Sequence, residues 1–558
     1  MLAMEAAEGD SERFTFTASV EQLVAGACLF WALSANRLFL SAALKAHGQT
    51  QAIGFAAALL VMLVALHYLL IVPFSFRRTV KPLLTFLLFG TALATYYMQT
   101  FGVVLDASMM RNVFHTDVVE ARELFSWALL AHLLLYAGLP TVLLWRVRVT
   151  SRPWRRATAL RLASVLLAAL ACFAALLLVF KPFASLMRNH KEVRYLAVPA
   201  NAIWSTASVI AAQAKGAAKP RQPIGLDATP GPLSTSRTKP LVVVLVVGET
   251  ARAANWGLSG YARPTTPELA RLPVVNFADV RSCGTDTETS LPCMFAPVGR
   301  RDYDGSRIRG SESLLHVLAR AGVVVHWRDN QSGCKGVCDG LPQDEVGSLN
   351  PAGICGDGRC LDEGLLVGLA DRLAKARAAT GKPSTQLIVL HQLGNHGPAY
   401  FRRYPPAFAH FTPACEKDDL QQCSREEIVN AYDNALRYTD HVLASAIATL
   451  QGAAADVDSA LIYVSDHGES LGENGLYLHG LPYLIAPKEQ TQVPMVMWLS
   501  ANFPKATALD AACLQRRAAM PTSHDHLFHT LLGLLDVSTA LYESRFDLGH
   551  GCRAASTP

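Results

Sequence analysis

Several apolar runs in the second half of the chain end in side chains that can hold a metal or move a proton. Residues 241–248 (LVVVLVVG) lead into Glu249 and Thr250; residues 387–390 lead into His391, with His396 beyond; residues 461–465 lead into Asp466 and His467. His479, in the stretch Tyr477-Leu478-His479-Gly480, adds a further imidazole. If these runs are parallel strands, their polar termini converge on one sheet edge, where such sheets bind ligands. Carboxylate oxygens and imidazole nitrogens in this mixture suit zinc, with manganese less favoured. A metal site of this kind needs a nucleophile, and two sources of hydroxyl compete. Thr250 follows Glu249 directly but is better placed to cap a helix or turn, which makes it the weaker of the two. The other source is the segment Ser282-Cys283-Gly284-Thr285-Asp286-Thr287-Glu288-Thr289-Ser290-Leu291-Pro292-Cys293, which reads as a loop entering a helix. A hydroxyl there meets the positive end of the helix dipole, and a metal bond would favour its alkoxide. The same cluster can also be a plain Thr-rich cap.

The elements that must position these groups follow from periodicity. Continuous apolar runs at 241–248, 323–327, 387–392, 461–468 and 494–500 alternate with helical patterns. That arrangement predicts a mainly parallel sheet covered by helices on both faces, a single α/β domain over residues 240–558. The chain has 558 residues, 51% of them hydrophobic and 17% charged; soluble domains carry about 25% charge. Disorder and a collagen-like chain are excluded, and a net charge of +5 gives no sign of a nucleic-acid partner.

The apolar excess sits in the first third. Residues 23–44, 53–74, 82–104, 124–145 and 159–180 are each long enough to cross a hydrocarbon core, which takes about 20 residues of helix. The first stretch is interrupted by Asn36 and Arg37. An acidic start (Glu5, Glu8, Asp10, Glu12) argues against a cleaved signal peptide. Arg77, Arg78 and Lys81 in one loop, and Arg146, Arg148, Arg152, Arg155, Arg156 and Arg161 in another, mark cytoplasmic loops. The amino terminus is then inside. The loops at 45–51 and 106–123, and everything after residue 180, face outward. Residues 1–180 form the membrane domain and 181–239 a membrane-surface and linker segment. Its part 211–239 is rich in Ala, Lys, Pro, Gly and Ser and lacks periodicity.

Of twelve cysteines, Cys28 and Cys172 lie inside spans. The close pairs Cys283 with Cys293, Cys334 with Cys338, Cys355 with Cys360 and Cys415 with Cys423 read as disulfides of an outward domain. Cys513 and Cys552 are candidates for a fifth. A zinc knuckle built from Cys334, Cys338, Cys355 and Cys360 is the disfavoured rival in that compartment.

Four segments together resemble the lipid A phosphoethanolamine transferases, whose soluble domain has the alkaline phosphatase/sulfatase-like fold. They are Gly248-Glu249-Thr250-Ala251-Arg252, the segment from Cys283-Gly284-Thr285 through Leu291-Pro292-Cys293-Met294-Phe295, residues 391–400 (HQLGNHGPAY), and Ser465-Asp466-His467-Gly468-Glu469-Ser470. The resemblance covers nearly the whole chain. It implies an inner-membrane enzyme with a periplasmic catalytic domain, a zinc ion on Glu249, Thr287, Asp466 and His467, and Thr287 as nucleophile. It also implies that His396 and His479 lie near the incoming phosphate or a second zinc. Ser332 and Lys335 would meet the substrate phosphate or headgroup, and Asn112, Thr116 and Glu120 would shape a phosphatidylethanolamine pocket. The spacing of four in that last set puts all three on one helix face; periodicity alone makes the stripe a solvated surface. The implied reaction moves phosphoethanolamine from phosphatidylethanolamine to lipid A through a threonine adduct, releasing diacylglycerol. It would lower outer-membrane negative charge and with it polymyxin binding, and the protein is expected to be a monomer.

Other polar residues take the bland reading. His524, His526 and His529 fit a capped helix packed on a core, and His67 and His132 fit packed or paired positions within spans. Arg402-Arg403 either attracts an anionic acceptor or is merely exposed. The rival functions are another acceptor such as a core-oligosaccharide sugar, another donor group such as glycerol phosphate, a membrane-bound sulfatase-like hydrolase, and a non-enzymatic sensor or transporter.

Overall fold

The computed structural model describes residues 16–47, 52–116, 118–216, 220–356, 358–378 and 383–553. The acidic residues Glu5, Glu8, Asp10 and Glu12 and most of the 45–51 loop lie outside them. Two compact units emerge: Met1–Gln99 with Trp127–Ser205, and Thr100–Ser126 with Thr206–Pro558.

The larger unit is organised by an eight-stranded sheet. In chain order its strands are β1 (Leu241–Gly248), β2 (Val274–Arg281), β3 (Val324–Asp329), β4 (Gln343–Glu345), β5 (Thr385–His391), β6 (Asp458–Ser465), β7 (Gln492–Leu499) and β8 (Thr522–Ser523). Their order across the sheet is β8-β2-β7-β6-β1-β5-β3-β4. Only β7 runs antiparallel, to both β6 and β2. Every residue of β1 is buried, as a central strand covered on both faces requires. Val243, Leu245 and Val247 join the main core beside Leu387, Val389, Ile462 and Val464. On the other face Tyr463 stacks on Trp256. Pro494 sits inside β7, where it has no amide hydrogen to give the ladder; the register shifts there, between Val493 and Met495.

Strand direction places the chemistry. The register pairs Ser465 with Gly248, and His391 with both Val247 and Asp329, so β6, β1, β5 and β3 end level with one another. β2 points the same way, since two antiparallel steps separate it from β6.

The membrane-surface and linker segment, residues 181–239, holds regular structure. A helix covers Ala200–Gly216, and the chain after it is fastened to the larger unit. Thr229–Pro230 pairs with Val537–Ser538, and Ser234 N donates to Asp536 Oδ2 at 2.7 Å. Short polar elements that find partners far along the chain carry no periodicity of their own. The segment Thr100–Ser126, which contains the 106–123 loop, clusters with the larger unit.

The smaller unit holds helices α1 (Val20–Ser34), α2 (Arg37–His47), α3 (Ala52–Ile71), α4 (Val80–Phe101), α5 (Trp127–Leu133), α6 (Leu139–Arg146) and α7 (Trp154–Leu178). Among the described residues four helical segments are long and apolar enough to cross a membrane, Ile53–Phe74, Val80–Phe101, Trp127–Arg146 and Trp154–Leu178, and a bent pair counted as one span makes five. The first expected span is not straight; α1 and α2 meet at a 53° bend. Buried Asn36 sits at the break, its Nδ2 donating to Trp31 O at 3.0 Å and Val198 O at 2.7 Å. A side-chain amide that bonds backbone in this way competes with the helical ladder and ends it.

Candidate active site

The strand ends deliver Glu249, Asp466 and His467 to one place, and all three are fully buried. One ligand atom from each lies within 4.8 Å of the others. His467 Nε2 is 3.3 Å from Glu249 Oε1 and 3.5 Å from Asp466 Oδ2. Its Nδ1 lies 2.9 Å from Gly468 O, and a carbonyl can only accept; Nδ1 therefore carries a proton, and Nε2 faces the carboxylates. A second set, Glu249 with His396 and His479, meets the same 4.8 Å limit and shares the glutamate. His479 Nδ1 is 3.1 Å from Glu469 Oε1. Gly394, with φ +54°, lets the loop after β5 close on this edge: a Cβ there would stand 2.6 Å from Glu249 O.

The two candidate hydroxyls sit in different surroundings. Thr287 opens the helix Thr287–Met294, capped by Asp286, whose carboxylate accepts from Thr289 N at 3.0 Å. Its Oγ1 donates to Glu249 Oε2 at 3.0 Å and lies 3.4 Å from His467 Nε2. Thr250 caps nothing. It is held at φ +53°, and its buried Oγ1 has no hydrogen-bond partner among the described residues.

The charge balance calls for a cation. Glu249 Oε1 and Asp466 Oδ2 are buried without a hydrogen-bond partner among the described residues. Burial raises the Glu249 carboxyl, but the His467 imidazole outweighs this and holds it below the ordinary carboxylate range. Burial and the Glu249 charge push Asp466 up to about 7. Two carboxylates cannot both ionise cheaply in so dry a place unless a positive ion joins them. A metal ion fits these residues.

Residues 242–537 match the Sulfatase family, and residues 62–214 match the family described as phosphoethanolamine transferase EptA/EptB. The chain is 41% identical over 473 residues to the phosphoethanolamine transferase EptA of Salmonella typhimurium (strain LT2), across 84% of this chain and 85% of the relative. The chain belongs to the EptA family of phosphoethanolamine transferases. It is accordingly an enzyme, a transferase, and a multi-pass membrane protein. Phosphatidylethanolamine transferase Mcr-1 of Escherichia coli is 38% identical over 534 residues, 94% of this chain and 96% of that one. The integral membrane lipooligosaccharide phosphoethanolamine transferase A of Neisseria meningitidis superposes with a TM-score of 0.90 at 37% identity, covering 97% of this chain and 99% of that one.

Around this EptA-family site the remaining expected residues fall unevenly. Lys335 Nζ donates to Ser332 Oγ at 2.7 Å and lies 3.3 Å from Glu288 Oε1, next to Thr287. Asn112, Thr116 and Glu120 do not share one continuous helix. The helix Ala107–His115 ends before Thr116, which has ψ 127°, and a new helix covers Val118–Glu123. Thr116 Oγ1 instead donates to Asn112 O at 2.8 Å, and the side chain of Glu120 lies outside the described residues. The first helix docks through other groups: Ser108 Oγ donates to Asp286 Oδ2 at 3.0 Å, and His115 Nδ1 is 2.8 Å from Glu288 Oε1. Arg403 is buried on Glu123, so it is not a free anion receptor; Arg402 pairs with Asp418 at 3.1 Å.

Five disulfides join Cys283 to Cys293, Cys334 to Cys338, Cys355 to Cys360, Cys415 to Cys423 and Cys513 to Cys552. The zinc-knuckle alternative is thereby overturned. Two site neighbours escaped the sequence reading. Gln331 Nε2 donates to Glu249 Oε2 at 2.6 Å, and Asp329 Oδ2 accepts from His391 Nδ1 at 3.0 Å. Both follow from the strand-end rule once β3 is carried to Asp329 instead of stopping at Trp327.

His524 is no metal ligand but a strut behind the site. Its Nδ1 accepts from Cys283 N at 3.0 Å, and its Nε2 lies 2.9 Å from Ser465 O, tying the threonine loop to the end of β6. Only the neutral ring can do both. Burial pushes it down to about 3, below the value of about 6.5 in an unfolded chain. Its contribution to stability is therefore complete above pH 6.5 and lost as the pH falls from there toward 3. The thermal midpoint of the wild type in detergent should drop more steeply between pH 6.5 and 4 than that of His524→Gln. Parallel slopes would contradict this role.

Proposed function

We propose that this enzyme transfers phosphoethanolamine from phosphatidylethanolamine to a phosphate of lipid A, by two displacements with Thr287 as the nucleophile. The observation that carries the reading is the Thr287 hydroxyl, on a helix amino terminus, donating to Glu249 at 3.0 Å beside Asp466 and His467. Glu249, Asp466, His467 and the Thr287 oxygen would hold a zinc ion, with His396 and His479 as the place for a second. When bound, zinc supplies Lewis-acid stabilisation of negative charge on oxygen.

This chain's own groups do the rest. Glu249 Oε2 accepts the Thr287 proton; Thr287 Oγ forms a bond to phosphorus as the phosphorus–oxygen bond to diacylglycerol breaks. His396 or His479 returns a proton to the leaving alkoxide, and imidazoles suit that task near neutral pH. Lys335, held by Ser332, neutralises phosphate charge. A lipid A phosphate oxygen then attacks phosphorus as the bond to Thr287 Oγ breaks; Thr287 takes its proton back from Glu249, and the proton of the attacking phosphate passes to the histidine. Asn112, Thr116 and Glu120 belong to the segment expected to border the donor headgroup.

In this reading the protein spans the bacterial inner membrane with its amino terminus cytoplasmic and its catalytic domain periplasmic, and works as a monomer without nucleic acid. The added ammonium lowers surface negative charge and so weakens binding of cationic peptides such as polymyxins. Mass spectrometry of lipid A from cells expressing the protein tests it. A phosphoethanolamine increment on a lipid A phosphate is expected; an increment confined to the core sugars, or none, would refute the acceptor assignment.

A further inference from the structure

The smaller unit contains a narrow groove within its helical layer, open at its mouth and with room inside for a group the size of one water. Trp31 of α1, Thr91, Thr95 and Gln99 of α4, His132 of α5 and Tyr136 border it. The three α4 residues recur every fourth position, so they form one face extending about 12 Å along the helix axis. Polar groups at membrane depth are costly and rare, so a groove lined by so many of them is a functional site by default.

Two further observations say that something polar belongs there. Trp31 is 1% exposed and Thr91 3%, yet neither Trp31 Nε1 nor Thr91 Oγ1 has a hydrogen-bond partner among the described residues. By contrast Thr95 Oγ1 lies 3.2 Å from His132 Nε2, and His132 packs on Tyr136 with ring centroids 4.5 Å apart. An unpaired donor in hydrocarbon costs several kcal/mol, as long as nothing fills the place. The span carrying His132 and Tyr136 also departs from regular helix at this point: Leu134–Gly138 is a π-helical turn. Such turns widen a helix locally and recur at binding sites.

The chemistry of the lining narrows the ligand. An indole N–H can only donate, so the missing partner is an acceptor. Among the described residues the groove is lined by no Asp, Glu, Lys or Arg, which disfavours a phosphate or an ammonium at this depth. Uncharged acceptors attached to apolar chains are what the ester region of a glycerolipid offers. We infer that this groove admits an ester carbonyl of a diacyl lipid lying at its mouth, the carbonyl oxygen accepting from Trp31 Nε1 and Thr91 Oγ1. The inference rests on the proposed reaction only in naming its two sources, the donor phosphatidylethanolamine and the released diacylglycerol.

The test uses full-length protein in nanodiscs with photoreactive analogues of each lipid, their photogroup beside the ester, and mass-spectrometric mapping of labelled residues. Labelling along α1 and α4 should exceed that at Leu166 and Leu170, which are 60% and 56% exposed on α7. Trp31→Phe and Thr91→Val together should cut it by about tenfold, the value of two modest hydrogen bonds. Dialkyl-ether analogues, which lack the carbonyls, should label equally poorly. Preference for the phosphatidylethanolamine probe assigns the groove to the donor; preference for the diacylglycerol probe assigns it to the product. Labelling no stronger than on α7, or unchanged in both single variants and with the ether lipids, would overturn the inference and leave the groove to ordered water. None of these readouts needs turnover, so failure of the proposed reaction would show separately, as an unmodified lipid A.

Discussion

Thr287→Ala should abolish phosphoethanolamine transfer, lowering kcat by about a thousandfold or more while leaving donor binding nearly unchanged. Thr287 Oγ1 makes its contacts with Glu249 and His467 and with no other described group. Its loss therefore removes one hydrogen bond, worth about 1 kcal/mol of stability. The helix it opens keeps its cap, because Asp286 and not Thr287 accepts from Thr289 N. A folded, lipid-binding, inactive protein is the expected product. Thr287→Ser should restore part of the rate, since it returns the hydroxyl. Diacylglycerol release by Thr287→Ala at near wild-type rate, followed with a fluorescent phosphatidylethanolamine, would remove Thr287 from the mechanism.

The second large effect concerns charge. Asp466→Asn should lower metal content, measured by inductively coupled plasma mass spectrometry, from about one bound ion per chain to near none. The same variant should be more stable than the wild type once both are stripped by a chelator. Without a cation, Asp466 and Glu249 repel in a buried site, and burial with that repulsion pushes Asp466 up to about 7. An amide of the same shape removes the repulsion and still accepts from His467 N through its oxygen. Thermal unfolding with and without chelator reads both effects; the metal-loaded order of stabilities should reverse in the stripped proteins. Equal metal content in variant and wild type would contradict the ligand set.

Much of this site was legible in the sequence because strand ends are. β1, β5 and β6 are continuous apolar runs, and the residues just past them, Glu249, His396, Asp466 and His467, meet at one edge. β2 was not foreseen: Val274–Arg281 alternates buried and exposed positions and carries Asn276, Asp279 and Arg281, so no apolar run announces it. It nonetheless leads the chain to Thr287. The helix Ala107–His115 shows the opposite failure. A four-residue spacing promised one continuous face through Thr116, whereas the backbone turns at Thr116 and the docking falls to Ser108 and His115. Periodicity reports which face a helix has, not where it stops. The bend at Asn36 and the Arg403–Glu123 pair depend on partners far along the chain. No local pattern encodes them.

The most direct measurement is the intact mass of the full-length protein after incubation with phosphatidylethanolamine and zinc, without acceptor. One added phosphoethanolamine is expected, mapping by peptide fragmentation to Thr287 and disappearing when lipid A is supplied. Transfer to lipid A that proceeds while Thr287 stays unmodified at every time point would contradict the account.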